Sequence, residues 1–328
     1  MGNVAIISGI TGQTGSYLAE VLLEKGYKVY GIQRRTSTIV TERIDGLLGK
    51  GLVETYYGDL ADANSIVNLL MKIKPDEVYN LGSMSHVRVS FDIPEYTGQV
   101  TGLASVRILE ALRSLGMMKV KYYQASSSEL WGVSHPPQNE NTIMQPQSPY
   151  GAAKLYAYWI TKVYRMGYGM FACNGILHNH ESSRRGLNFV TQKICHEAAK
   201  IKLGLQKSIR LGNLDAKRDW GFAGDYAKAI YLIMQHSVPD DFVIATGEQH
   251  SVKEFAENVF SKLGLDFYEF VKFDEQYLRP NEVPSLCGDS TKARNLLGWK
   301  PEVNFDQLID MMVESALREE EIKLKCGV

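Results

Sequence analysis

"NVAIISGITGQTGSYLAEVLLEKGYKVYGIQRR", from Asn3 to Arg35, is the stretch that decides the fold. It opens on "VAIIS", a short apolar run of the kind that forms a strand buried on both faces. Glycine ends the run. "SYLAEVLLEKGY" then repeats with helical spacing, Leu18, Val21 and Leu22 sharing one face and Gly26 supplying the stop. "KVYGIQR" is a second strand. A strand, a helix and another strand in so short a span make a crossover unit, whose two strands lie parallel.

The same rhythm continues outward. "VETYYGDLAD" reads as a third strand and turn, "ANSIVNLLMKI" as a helix and "DEVYNLGS" as a fourth strand. "VTGLASVRILEALRSLG" reads as one long helix and "VKYYQASSSEL" as a fifth strand. Strands alternating with helices in this way predict an α/β protein with a parallel sheet covered on both faces. Near residue 175 the rhythm changes to polar turns, short strands either side of Asn213–Asp215, and further helices. Ser251 with Glu254 predicts a capping box on one of those helices. The chain is therefore divided into 1–175 and 176–328, with the region 222–250 returning to the first part. "REEEIKLK" near the end reads as a solvated helix terminus.

Between the first strand and first helix, Gly9, Gly12 and Gly15 are spaced as GxxGxxG. One glycine permits the tight turn, the next a close approach to a pyrophosphate, and the third close helix–strand packing. Amides at the helix start supply donors and the positive end of a dipole. The reading is a dinucleotide-binding, Rossmann-like lobe. After the second strand, where an acidic residue often receives the ribose hydroxyls, the chain carries Arg34, Arg35, Thr36 and Ser37. Paired arginines can give a 2′-phosphate charge-assisted hydrogen bonds, so NADP is expected rather than NAD. Asp59 is the expected partner of the adenine amino group.

Tyr150 and Lys154 stand four residues apart in "SPYGAAK", on one face of a helix. A lysine cation beside a phenol favours the phenolate, which could take a hydroxyl proton while hydride leaves the same carbon. The fifth strand ends in "ASSSELWG". There Ser127 can position the substrate oxygen, and Glu129 supplies a carboxylate for which simple alcohol oxidation has no use. Once a sugar C4 is a ketone, the C5 proton becomes acidic. Glu129 could then abstract it, with loss of the C6 hydroxyl as water and return of the hydride to C6.

Read together, "SGITGQTGSYLAE", "QRRTSTIVTERID", "NLGSMSHVRVSF", "ASSSELWG", "SPYGAAKLYAYW", "GNLDAKRDWGFAGDY" and "RPNEVPSLCGDSTKARNLLGWKP" resemble the extended short-chain dehydrogenase/reductase family. Within it they resemble the GDP-mannose 4,6-dehydratase family, over nearly the whole chain. The resemblance implies cofactor contacts from Gly9, Thr11, Gly12, Gln13, Thr14 and Gly15, and from Arg34 with its neighbours. It adds Asp59, Leu60, Leu81, Gly82, Ser83, Met84, Ser85, Tyr96, His180 and Arg185, together with Tyr150 and Lys154. It implies catalytic roles for Ser127, Glu129, Tyr150 and Lys154. Substrate contacts would come from Ser85, Ser127, Glu129, Asn179, Asn188, Lys193, Arg218, Arg279 and Glu282, the second lobe holding the nucleotide sugar. It also implies a homo-oligomer, a tetramer rather than a dimer. Thr14, Ser127, Met84 and Arg88 depart from the family pattern. The last two leave a heptose as well as a hexose substrate open.

The bulk properties set the remaining bounds. With 36 basic and 37 acidic residues in 328, the net charge of −1 offers no general attraction to nucleic acid or membrane. No apolar run is long enough to span a bilayer, and the opening lacks the features of a signal peptide. Four dispersed cysteines read as reduced thiols, and no convergent metal-ligand set is apparent, so a metal-free cytoplasmic enzyme is expected. A GDP-keto-sugar reductase and a non-catalytic dinucleotide sensor stand as the competing readings.

Overall fold

In the computed structural model, which describes residues 2–327, seven parallel strands form one sheet. These are β1 (Val4–Ser8), β2 (Lys28–Gln33), β3 (Val53–Tyr57), β4 (Glu77–Asn80), β5 (Lys121–Ser127), β6 (Ala172–Leu177) and β7 (Asp241–Ile244). Their order across the sheet is β7-β6-β5-β4-β1-β2-β3. The chain reverses direction of travel between β1 and β4, and ligands bind at such switch points, outside the carboxyl ends of the strands. The Rossmann-like α/β class predicted above is the observed one.

Alternation along the strands divides the core between two faces. Ala5, Ile7, Tyr79 and Tyr123 face α1 (Gln13–Glu24) and bury Leu18 and Leu22. Ile6, Val78 and Tyr122 face the other way, onto Ile66 and Leu70 of α2 (Ala63–Ile73) and Ile108 and Leu112 of α3 (Leu103–Ser114). The long helix α4 (Pro149–Tyr168) packs beside α3.

A second core lies beyond the strand ends. It joins Ile194 and Ala198 of α5 (Val190–Lys202), Phe255 and Phe260 of α7 (Val252–Lys262), and Leu308 and Met312 of α8 (Phe305–Cys326). Between them in sequence, α6 (Ala223–Gln235) packs on α1, and β7 extends the sheet beside β6. The short strands Ile209–Leu211 and Lys217–Arg218 do not pair with each other. The first pairs with Val271–Phe273 and the second with His250–Ser251.

Three local expectations are corrected. The helix ahead of β5 is interrupted by a π-turn, Gly98–Gly102. Its Thr101 hydroxyl accepts a hydrogen bond from the Met84 amide, so the irregular turn holds the chain after β4. At α7 the Ser251 hydroxyl does cap the Glu254 amide, but the Glu254 carboxylate pairs with His250 at 2.8 Å instead of completing a capping box. Near the C-terminus, Glu320 is not solvated. It is 3% exposed and lies 2.8 Å from the buried His196 ring, tying α8 to α5.

Candidate active site

The carboxyl ends of β1, β4, β5 and β6 open into a cavity of about 990 Å³ that continues into the second lobe. The glycine turn forms its floor. Gly9 adopts φ +74°, and a side chain there would also meet the Gly82 amide nitrogen at 2.9 Å. A Cβ on Gly15 would lie 2.3 Å from the Gly9 carbonyl oxygen. Helix α1 begins directly after Gly12 with no side-chain cap, so its first amides are open to an anion. Ser8 fixes the facing strand end, its hydroxyl donating to Asn80 and accepting from the amides of Leu81 and Gly82.

A segment from the second lobe lies over this turn. The Gln13 side chain donates from Nε2 to the His180 carbonyl, and the Ser182 hydroxyl donates to Gln13 Oε1. His180 Nδ1 donates to the His178 carbonyl, which leaves Nε2 to accept from the Thr14 hydroxyl at 2.7 Å. Thr14 thus ties the start of α1 to the segment that follows β6. Burial pushes His180 down to about 4. Arg185 is held against Glu181 at 3.1 Å and lies over the Phe189 ring.

Of the predicted cofactor residues, the cavity brings together Gly9 through Gly15, Arg34, Asp59, Leu60, the run Leu81 to Ser85, Tyr96, His180 and Arg185. Arg34 donates to the Tyr96 hydroxyl at 2.8 Å. Arg35, Thr36 and Ser37 do not line it; they lie on the loop after β2, where Thr36 bonds only to the Thr38 carbonyl. Arg43 does line it, though the sequence reading gave it no place at the glycine turn. Its guanidinium donates to the carbonyls of Thr11 and Arg184. No periodicity marks Arg43, because its position depends on a loop folding back across α1.

The four candidate catalytic residues meet where β5 faces the start of α4. Ser148 caps that helix by accepting from the Gly151 amide, and Pro149 occupies its first position, so Tyr150 is fixed at the helix entrance. The Tyr150 amide donates to the buried Ser90 hydroxyl. Lys154 is 3% exposed and donates to the Ala125 carbonyl at 2.6 Å, with its ammonium 5.7 Å from the Tyr150 ring centre. Burial governs both groups. It pushes Tyr150 up to about 12, against a lowering hydrogen bond with Ser127, and it pushes Lys154 down to about 8. Loss of water is thus the first cause acting on each group, and for the phenol the Ser127 hydrogen bond is the next.

Glu129 sits in a single 3₁₀ turn after β5, 6% exposed, with its amide donating to the Ser127 hydroxyl. Its Oε1 lies 3.4 Å from Arg279, while its Oε2 is buried without a hydrogen-bond partner. Beyond it, Arg218 is buried and donates to Glu282 at 3.1 Å. Lys193 lies over the Tyr277 ring and donates to the Arg210 carbonyl. Asn179, Asn188 and Ser85 complete the predicted substrate residues on this wall. Among the described residues, no three metal-ligating side chains converge.

The comparisons place this arrangement in a family. The family model described as "GDP-mannose 4,6 dehydratase" matches residues 6–312. The Arabidopsis thaliana protein "GDP-mannose 4,6 dehydratase 1" is 51% identical over 323 residues, covering 96% of this chain and 90% of its own. The Homo sapiens "GDP-mannose 4,6 dehydratase" is 51% identical over 338 residues, covering 95% and 91%. Among solved structures, the Thermus thermophilus UDP-glucose 4-epimerase complex with NAD superposes with a TM-score of 0.83 at 23% identity, covering 95% of this chain and 98% of that one. That likeness is one of fold. A family match over most of the sequence, with relatives half identical along nearly their full length, settles membership: the chain belongs to the GDP-mannose 4,6-dehydratase family.

Proposed function

We propose that the chain is an NADP-dependent GDP-mannose 4,6-dehydratase, a lyase that converts GDP-α-D-mannose to GDP-4-dehydro-6-deoxy-α-D-mannose and water. The observation that carries this reading is Glu129, a buried carboxylate beside Ser127 and Tyr150 where the dinucleotide turn and the second lobe meet. The names of the half-identical relatives supply the substrate.

The residues present fit a dinucleotide. Gly9 and Gly15 leave a cradle that side chains would fill, and the uncapped start of α1 offers amides to a pyrophosphate. Arg34 and Arg43 would answer the added charge of a 2′-phosphate or pyrophosphate, and Asp59 would meet the adenine. The chemistry such a dinucleotide would supply when bound is reversible hydride storage, taken from sugar C4 and given back at C6, so the conversion would consume no net oxidant.

The protein's part is to move protons. Tyr150, oriented by Ser127, takes the proton from the C4 hydroxyl as that carbon is oxidised. Lys154, with two donors beyond its bond to Ala125, would hold the ribose and favour the phenolate. Glu129 then takes the C5 proton and delivers it to the departing C6 hydroxyl, which leaves as water. Glu129, reprotonated from solvent, would return a proton to C5 as C6 is reduced, and the proton that Tyr150 took from the C4 hydroxyl passes to solvent in exchange. Arg218, Arg279 and Lys193 would hold the diphosphate end.

Incubation with GDP-mannose and NADP in deuterated water tests the reading. The expected product is lighter by one water before isotope uptake, carries deuterium at C5, and forms without accumulation of reduced cofactor. Glu129→Gln should stop water loss while the variant remains folded. Retention of the C6 hydroxyl in the wild-type product would count against dehydration and favour a reductase or epimerase.

A further inference from the structure

Two guanidinium groups and two carboxylates share one corner of the cavity. Arg279 lies 3.4 Å from Glu129 Oε1 and 3.5 Å from Glu282 Oε1, and Arg218 lies 3.1 Å from that same Glu282 oxygen. The cluster is balanced in charge. Its members differ in freedom to move. The side chains of Arg218 and Glu129 are 6% and 8% exposed, whereas that of Arg279 is 25% exposed. Arg279 also lies on an irregular stretch that follows the short turn Glu275–Tyr277.

Glu129 therefore rests against a cation that opposes its task. While the pair holds, the guanidinium engages Glu129 Oε1, and that oxygen must be released before it can meet a substrate C–H. We infer that Arg279 is shared in competition between Glu129 and the diphosphate of the sugar nucleotide, so that binding of the diphosphate draws Arg279 away and frees Glu129 for the C5 proton. The inference rests on the sugar-nucleotide reading above. It adds a coupling between the handle of the substrate and the base at its reactive end, some of the binding energy being used to release the base. Arg218 remains behind as the anchor of Glu282. Arg279 acts here as a positioning residue.

The coupling is measurable without turnover. Calorimetric titration of GDP, which carries the diphosphate but no sugar, is carried out on the NADP-loaded protein as wild type, Glu129→Gln, Arg279→Gln and the double variant. The neutral amide in Glu129→Gln no longer competes by charge, so GDP should bind about two- to fivefold more tightly to that variant than to wild type, the scale of one partly exposed ion pair. In the Arg279→Gln background the same change should leave affinity unaltered. A simple loss of repulsion between Glu129 and phosphate would tighten binding equally in both backgrounds, and that result overturns the inference. Unchanged affinity in Glu129→Gln overturns it as well. Failure of GDP to bind any of the four proteins would instead sink the sugar-nucleotide reading on which it stands.

Discussion

Tyr150 and Lys154 are driven in opposite directions by one cause. Burial disfavours the charged form of each, raising the phenol to about 12 and lowering the ammonium to about 8. The phenol needs help from what binds beside it, so Tyr150→Phe should lower the first hydride transfer by about 10²- to 10⁴-fold, the usual worth of a positioned acid–base group. Single-turnover absorbance of the reduced cofactor measures this, and an unaltered rate would remove Tyr150 from the chemistry. His180 carries a separate pH dependence. It is held near 4, below its ordinary value of 6.5, so the fold favours the neutral ring. Its contribution is complete above about 6.5 and is lost as pH falls toward about 4, where the unfolded chain binds the proton more readily. His180→Gln should flatten the fall in melting temperature across that window. A slope identical to wild type would show that other groups cause it.

At the scale of single elements, the start of α4 holds the phenol in place. The Ser148 hydroxyl caps the Gly151 amide one residue beyond Tyr150. Ser148→Ala should cost about 1 kcal/mol in denaturant unfolding and should lower turnover more than it weakens cofactor binding, since it loosens the helix entrance. Equal losses in both would point to general destabilisation. The π-turn Gly98–Gly102 has a comparable role on the opposite wall, where Thr101 holds the Met84 amide. Helical periodicity in the sequence marks neither the Ser148 cap nor the π-turn. Its extra residue is accommodated by packing against α4, where Gly102 approaches Ala153 closely, and helical periodicity carries no trace of that approach.

For the whole molecule, α4 also offers an outer face. Tyr156, Trp159 and Val163 recur at helical spacing and are 42%, 52% and 51% exposed. We propose this face as the one through which copies of the chain would assemble. Trp159→Glu is expected to lower the mass measured by light scattering while leaving the far-ultraviolet circular dichroism intact. A wild-type protein that runs as a monomer would refute the assembly.

The strand, glycine turn and helix of residues 3–35 determined the sheet class, because apolar periodicity and the steric demands at Gly9 and Gly15 act within a few residues. Tyr150, Lys154, Ser127 and Glu129 were legible for the same reason: each sits at a strand end or helix start whose local signals are strong. Tertiary structure decided what those groups meet. Arg43 reaches the glycine turn and Arg35 does not, Glu320 is buried against His196, and Arg279 rests on Glu129 across 150 residues of chain. Such contacts arise where separate elements are brought together by burial of their apolar faces. Burial likewise sets the ionisation of Tyr150, Lys154 and His180, since the loss of surrounding water is a property of the folded whole and not of any segment.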